Sequence, residues 1–248
     1  MNVPGSFTVC VMIPFTLEEK ENCTQFLKIL GEELPCFFPE KIGNWEPIKT
    51  PFVHIEDATN YWHSPFLWKR RKEIKCEGYF SFGYPLVHSD LIICSNSKQL
   101  PQQQNTINFL IKFCLHFFSD LAYINLCTDN DSRLFDYSIW HPLSLGLFTH
   151  CIRKGIPLLP WATVFGAPYV NLLGMDAFLD VPAHTVTPLN EQQVYIQITE
   201  HIEDIYTDYD VFARKRAQIM DYLSPLFQGS EFGVQVPPEI LRPINERR

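Results

Sequence analysis

Three stretches carry residues whose types and spacing could do chemistry. Asp129, Asp131 and Asp136 in CTDNDSRLFD alternate as the carboxylates at the start of a calcium loop do. The EF-hand pattern then fails: Arg133 stands where an oxygen ligand belongs, and the required Gly and closing Glu are missing. Glu200, His201, Glu203 and Asp204 follow directly on a predicted strand, and carboxylates beside an imidazole could bind a metal or move a proton. No second ligand cluster stands at a diagnostic spacing, so neither stretch reads as a metal site. Both read as solvated acidic turns. Asp129, Asp131, Glu200, Glu203 and Asp204 are then the groups on offer to a basic partner. The third stretch is basic. Lys69, Arg70, Arg71, Lys72 and Lys75 stand close to Trp62 and Trp68, and cations interleaved with aromatics can track a single nucleic-acid strand.

Two thiol–imidazole couples, Cys114 with His116 and His150 with Cys151, raise the question of a thiol nucleophile and its base. Positions two apart or adjacent on a helix do not share a face, so neither couple is poised by its own element. The P-loop, the Rossmann glycine fingerprint, the G-x-S-x-G elbow and the H-E-x-x-H zinc motif are all absent, which argues against the common motif-bearing enzymes. No catalytic residue, metal or cofactor is expected.

Composition narrows the class further. The chain has 248 residues, 46% hydrophobic and 14% aromatic, with 20 Phe, 10 Tyr and 5 Trp. That excludes a disordered protein and allows a core that needs no staple. The net charge of -8 works against nonspecific attraction to nucleic acid, whose affinity comes from Lys and Arg on phosphates. Of the eight cysteines, Cys10, Cys94 and Cys114 lie in apolar runs and no C-x-x-C occurs, so reduced, buried, structural thiols are expected. The N-terminus has no basic residue before its apolar run, and the most apolar later stretch contains Lys112, His116 and Asp120. Neither a secretory signal nor a membrane span is expected, and the protein reads as soluble and cytoplasmic.

The elements that must position these residues follow from periodicity. Phe7–Phe15 reads as a buried strand, and Thr16 with Glu19 as a capping box opening a helix that Pro35 stops. A second strand–helix unit starts near Ser89, with a helix over Asn105–Leu121. Its polar residues Asn108, Lys112, His116 and Asp120 recur every four positions, leaving most of its surface to be covered. Tyr123–Cys127 and Val194–Thr199 read as strands, the second half-buried. A last helix over 211–226 is capped by Asp208 or Asp210, and the chain from Gln228 reads as extended and loosely held. The fold class is α+β, a mixed or antiparallel sheet with helices packed on one face. Two strand–helix openings suggest similar halves over 1–128 and 129–227, or one continuous domain over 1–227, before a tail over 228–248.

Between Pro160 and Gly174 the chain reads PWATVFGAPYVNLLG, without a charge. Gly166 and Pro168 would turn it while Trp161, Phe165 and Tyr169 seal a corner of the core. Together with the VYIQITE stretch, Val194–Glu200, this segment resembles the C-terminal part of bacterial immunity proteins of the immunity 52 kind. The matching places are Trp161, Phe165–Gly166, Pro168–Tyr169 and Gly174, and a closing helix with Arg214 and Arg216 is similar too. These motif residues are scaffold. The resemblance covers about the last third of the chain well and the N-terminal half loosely. It implies a non-enzymatic antidote from a polymorphic toxin system of the type VI secretion kind. Its partner would be a cognate protein toxin of nuclease type, basic and encoded nearby. Two other readings stand beside it: an α+β enzyme with Glu200, His201 and Asp204 as cryptic acids and base, and a single-strand nucleic-acid-binding module using Lys69–Lys75.

Overall fold

The computed structural model describes residues 6–83, 87–95, 99–128 and 147–246. Ten strands form one open antiparallel sheet in the order β3-β2-β4-β5-β6-β1-β7-β8-β10-β9, so the class is α+β. The strands are β1 (Phe7–Ile13), β2 (Lys41–Gly43), β3 (Thr50–Pro51), β4 (Phe66–Arg70), β5 (Cys76–Ser81), β6 (Ser89–Ser95), β7 (Leu121–Leu126), β8 (Ala162–Phe165), β9 (Thr185–Asn190) and β10 (Gln193–Gln197). Among the described residues there are nine α-helices. Three are long: α1 (Lys20–Glu33), α3 (Gln103–Phe117) and α8 (Tyr209–Tyr222). The short ones are α2 (Ile55–Ala58), α4 (Thr149–Ile152), α5 (Ala167–Leu173), α6 (Met175–Leu179), α7 (Asp204–Thr207) and α9 (Pro238–Leu241).

The pairing register sorts side chains onto two faces. Val11 of β1 stands opposite Leu91 and Ala122, and Leu91 opposite Phe80, which faces Phe66 of β4. Because side chains alternate along a strand, these residues share one face. Helices α1 and α3 cover it. Phe26 of α1 lies with its ring centre 5.2–6.1 Å from those of Trp62, Trp68, Phe80 and Phe113, the last from α3. Trp68 crosses directly over Gly78 of β5, where an added Cβ would fall 1.8 Å from the indole. Only glycine leaves room for that ring. Phe165 alternates with Val164 to the opposite face, where it meets Tyr169 of α5 and Phe178 of α6 at 5.5 and 5.2 Å.

Cover on both faces explains one departure from the pattern reading. All seven residues of β1 and all five of β10 are buried, so the Val194–Thr199 stretch is not half-buried. The two edge strands carry Pro51 and Pro188, which supply no ladder donor and so discourage edge-to-edge pairing.

Helix ends also depart from expectation. Helix α1 begins at Lys20 with Glu19 as its N-cap and no side-chain cap bond, so the Thr16–Glu19 capping box does not form. Helix α3 stops at Phe117 because Phe118 takes a left-handed conformation (φ 47°, ψ 53°). Asp120 therefore leaves the expected polar stripe and turns inward, its N–H bonded to Met12 O. Asp208 is the N-cap of α8 but makes no side-chain cap bond. Where a loose tail is expected, α9 packs with Ile240 fully buried. Its carbonyl oxygen accepts from Arg153 Nε at 3.1 Å. All eight cysteines are thiols, and six are buried. No helix among the described residues is long and apolar enough to cross a membrane.

Candidate interaction surface

Strand β10 hands the chain to a turn that is held rigidly from behind. Trp161 Nε1 donates to Thr199 Oγ1 at 3.1 Å, and Thr199 Oγ1 donates to His201 O at 3.1 Å. Gln197 Nε2 donates to Thr199 O and Glu200 O at 2.8 and 3.0 Å. From α3, Gln103 clamps the same turn at two points. Its Nε2 donates to Glu200 O at 2.8 Å, and its Oε1 accepts from Ile202 N at 2.9 Å. Ile202 and Ile205 are buried beneath.

The side chains of this turn point the other way. Glu200 and His201 are exposed, with Glu200 Oε1 3.9 Å from His201 Nε2. Glu203 and Asp204 are half-buried, and Asp208 and Asp210 are exposed. Asp204 Oδ2 accepts from His201 N at 3.3 Å, which closes the turn before α7. Among the described residues, none of these five carboxylates pairs with a Lys or Arg. Tyr206 stands among them, 44% exposed. Its phenol is pushed above the ordinary range by partial burial and then by the nearby Glu203. The result is an unneutralised acidic ridge with one aromatic ring, on a backbone that does not need to move.

The other sequence candidates are placed differently. Asp129, Asp131 and Asp136 lie outside the described residues. Thr128, just before them, sits at the same end of the sheet as the acidic turn, since the C-terminal ends of β7 and β10 both meet the start of β8. The basic cluster is internally compensated at β4. Lys69 Nζ lies 2.9 Å from Glu46 and 3.1 Å from Glu77, and Arg70 lies 2.9 Å from Glu73. Trp62 and Trp68 point into the core, their indole N–H groups donating to Leu17 O and Phe37 O. The cluster therefore has no exposed ring from these two residues on which a base could stack.

Cys114 is buried and its thiol pushed up to about 12, beside an exposed His116. His150 Nε2 and Cys151 Sγ do meet, at 3.3 Å, although they are neighbours in the chain. Burial, however, raises the thiol and lowers the imidazole. Both shifts favour the neutral pair over the thiolate–imidazolium a nucleophile needs.

The PWATVFGAPYVNLLG residues form a buried corner. Trp161, Phe165, Pro168 and Tyr169 are all buried. Gly166 N donates to Asp120 O, and an added Cβ there would lie 2.0 Å from Ser119 O. Gly174 ends α5 with φ +84°.

Two arrangements escape sequence reasoning. His88 joins three elements: Nε2 lies 2.9 Å from Asp120 Oδ2, Nδ1 lies 2.8 Å from Thr149 Oγ1, and its backbone N–H donates to that hydroxyl at 3.0 Å. A hydroxyl, imidazole and carboxylate in a row is the order of a nucleophile relay. Here His88 is 0% and Thr149 3% exposed, so no substrate reaches them and the chain of bonds ties β6, β7 and α4 together. The second is a groove of about 340 Å³ over β4, β5 and β6, lined by Leu67, Lys69, Tyr79, Ile92, Cys94 and Phe148 among others. These residues come from three strands and the segment before α4, and no local signal marks them. Among the described residues, no group of three or more His, Cys, Asp or Glu could hold a metal ion.

No protein-family model matches the chain, and no curated protein matches it. Among solved structures, the fold is similar to a T6SS protein of Pseudomonas aeruginosa. The TM-score is 0.48 at 13% identity, covering 95% of this chain and 79% of that one.

Proposed function

We propose that this protein is a non-enzymatic antidote that binds and neutralises a basic protein toxin of nuclease type, encoded nearby and met in the cytoplasm. The observation that carries the reading is the acidic ridge of Glu200, Glu203, Asp204, Asp208 and Asp210, whose carboxylates have no Lys or Arg partner among the described residues. A nuclease must present a cationic cleft to phosphates, and a pre-shaped row of carboxylates competes for that cleft. Long-range attraction would steer the encounter and speed association. Because the turn is clamped through Gln103, little ordering entropy opposes binding. The resemblance of Trp161–Gly174 and Val194–Glu200 to immunity 52 proteins supports the same reading. So does the lack of a common catalytic motif.

The test is capture of the product of the adjacent upstream gene, carrying an inactivating mutation, followed by calorimetry at low and high salt. Tight 1:1 binding that weakens with salt is expected, and it should weaken again in the triple variant Glu200→Gln, Glu203→Gln, Asp204→Asn. Absence of binding to any neighbouring gene product would overturn the reading.

A further inference from the structure

Asp90 occupies β6, near the middle of the sheet, paired with Met12 of β1 and Ser81 of β5. Its neighbour Leu91 belongs to the aromatic face, so the carboxyl points to the opposite face. There it is 7% exposed, and Oδ1 has no hydrogen-bond partner. The groups that share this face around it are Met12 and Cys10 of β1, Ser81 of β5, Ile92 of β6 itself and Tyr123 of β7, which bonds to Cys10. None carries a positive charge. Burial, and then Asp90 itself, push the Cys10 thiol well above its ordinary value, so it stays protonated and adds no charge of its own. Two residues before it in the chain, His88 spends its two ring nitrogens on Asp120 and Thr149.

A carboxylate in such a place would be a buried charge without a counter-ion, which proteins avoid by keeping the proton. We propose that Asp90 is a pH-sensitive device in the sheet: it is held as the neutral acid in the folded protein, and the preference of the open chain for the ionised form loosens the fold as pH rises toward neutrality. On opening, the O–H bond of the carboxyl breaks and its proton passes to water. Burial, the sole cause acting on it, raises this carboxyl from 3.8 to about 7. The sign follows from those two values. Below pH 4 both states hold the proton and nothing is lost. Between about 4 and 7 the open chain releases it while the folded chain keeps it, so the open state gains up to about tenfold per pH unit. Above 7 both are ionised and the penalty stays constant.

The experiment is urea unfolding of the wild type and of Asp90→Asn at several pH values from about 5 to 8. The ratio of their unfolding constants isolates Asp90 from the other carboxylates. It is expected to rise at least tenfold between pH 5 and about 7 and then level off; a ratio independent of pH would overturn the proposal. A direct reading needs no variant. The carboxyl carbon of Asp90 in the wild type, followed by carbon-13 NMR, should titrate near 7, and a midpoint at or below about 4 would equally overturn it. His88→Gln is the control for the neighbouring buried pair: the dependence should survive it, and its disappearance would assign the effect to His88 and Asp120 instead.

Discussion

The β4–β5 hairpin and the turn after β10 are both rich in charged residues, and they treat charge in different ways. In the hairpin, Lys69 is shared between Glu46 and Glu77, Arg70 is paired with Glu73, and the tryptophans beside them are driven into the core. At the turn, five carboxylates within eleven residues are exposed or half-buried and, among the described residues, make no ion pair with a Lys or Arg, and Tyr206 remains half in water. Both stretches look like binding segments when charges are merely counted. The difference lies in what the fold supplies around them: counter-ions for Lys69 and Arg70 and an aromatic core in one place, a backbone clamp in the other. Charge already matched within the molecule has little to offer a partner, whereas unmatched charge keeps its field.

That contrast can be broken by mutation, and the largest effect should fall on the hairpin. Trp68→Ala removes a fully buried indole packed on Phe26 and Gly78. It should cost about 3–5 kcal/mol in urea unfolding. A loss below about 1 kcal/mol would mean that the ring is not the core element it is taken for. Next comes binding to the captured toxin. Glu203→Lys with Asp204→Lys should weaken it by roughly 10- to 100-fold, about 1.4–2.8 kcal/mol. Lys72→Gln with Lys75→Gln should change it by less than about twofold. Equal sensitivity at the two places would abolish the distinction between them.

Tyr206→Ala sharpens the comparison from the other side. It should alter stability by no more than about 0.5 kcal/mol, since the ring is half exposed, while measurably slowing association or hastening release. The smallest effect concerns a surface pair that belongs to neither region. Lys112 bonds to Glu32 and Glu33 at 2.6 and 2.9 Å, and its hydrogen bond holds Glu32 below the ordinary carboxylate range. The stabilisation is present above the ordinary carboxylate value and is lost as pH falls through the lowered one. Lys112→Met should therefore lower Tm slightly at neutral pH, and the difference should close in acid.

How much was legible beforehand depends on the range of the interaction concerned. Strands β1 and β6, helix α1 and the α+β class could be read from apolar runs and helical spacing, while the choice between a mixed and an antiparallel sheet could not. The acidic turn was visible as adjacent carboxylates following a strand. The failures share one cause. The Thr16–Glu19 motif matches a capping box, yet the chain enters α1 at Lys20. Asp120 continues a period of four, yet Phe118 turns the chain and sends it inward to His88. Val194–Thr199 alternates like a half-covered strand, yet both sheet faces are packed. In each case a tertiary contact overrules a local preference worth about 1 kcal/mol or less.

By itself, then, the sequence determined the local quantities: which segments prefer to be strands or helices, that the core would be aromatic, that the thiols would lie mostly inside, and that the chain would carry net negative charge. Only the tertiary structure decided which charges are answered. Lys69 finds Glu46, His88 finds Asp120 and Thr149, Gln103 finds the turn at Glu200, and Asp90 Oδ1 is left without a hydrogen-bond partner. The physical reason is that propensity acts within a few residues. The field and the solvation at a side chain, by contrast, are set by whatever the sheet brings within a few ångströms, and here that is chain 23 to 97 residues away.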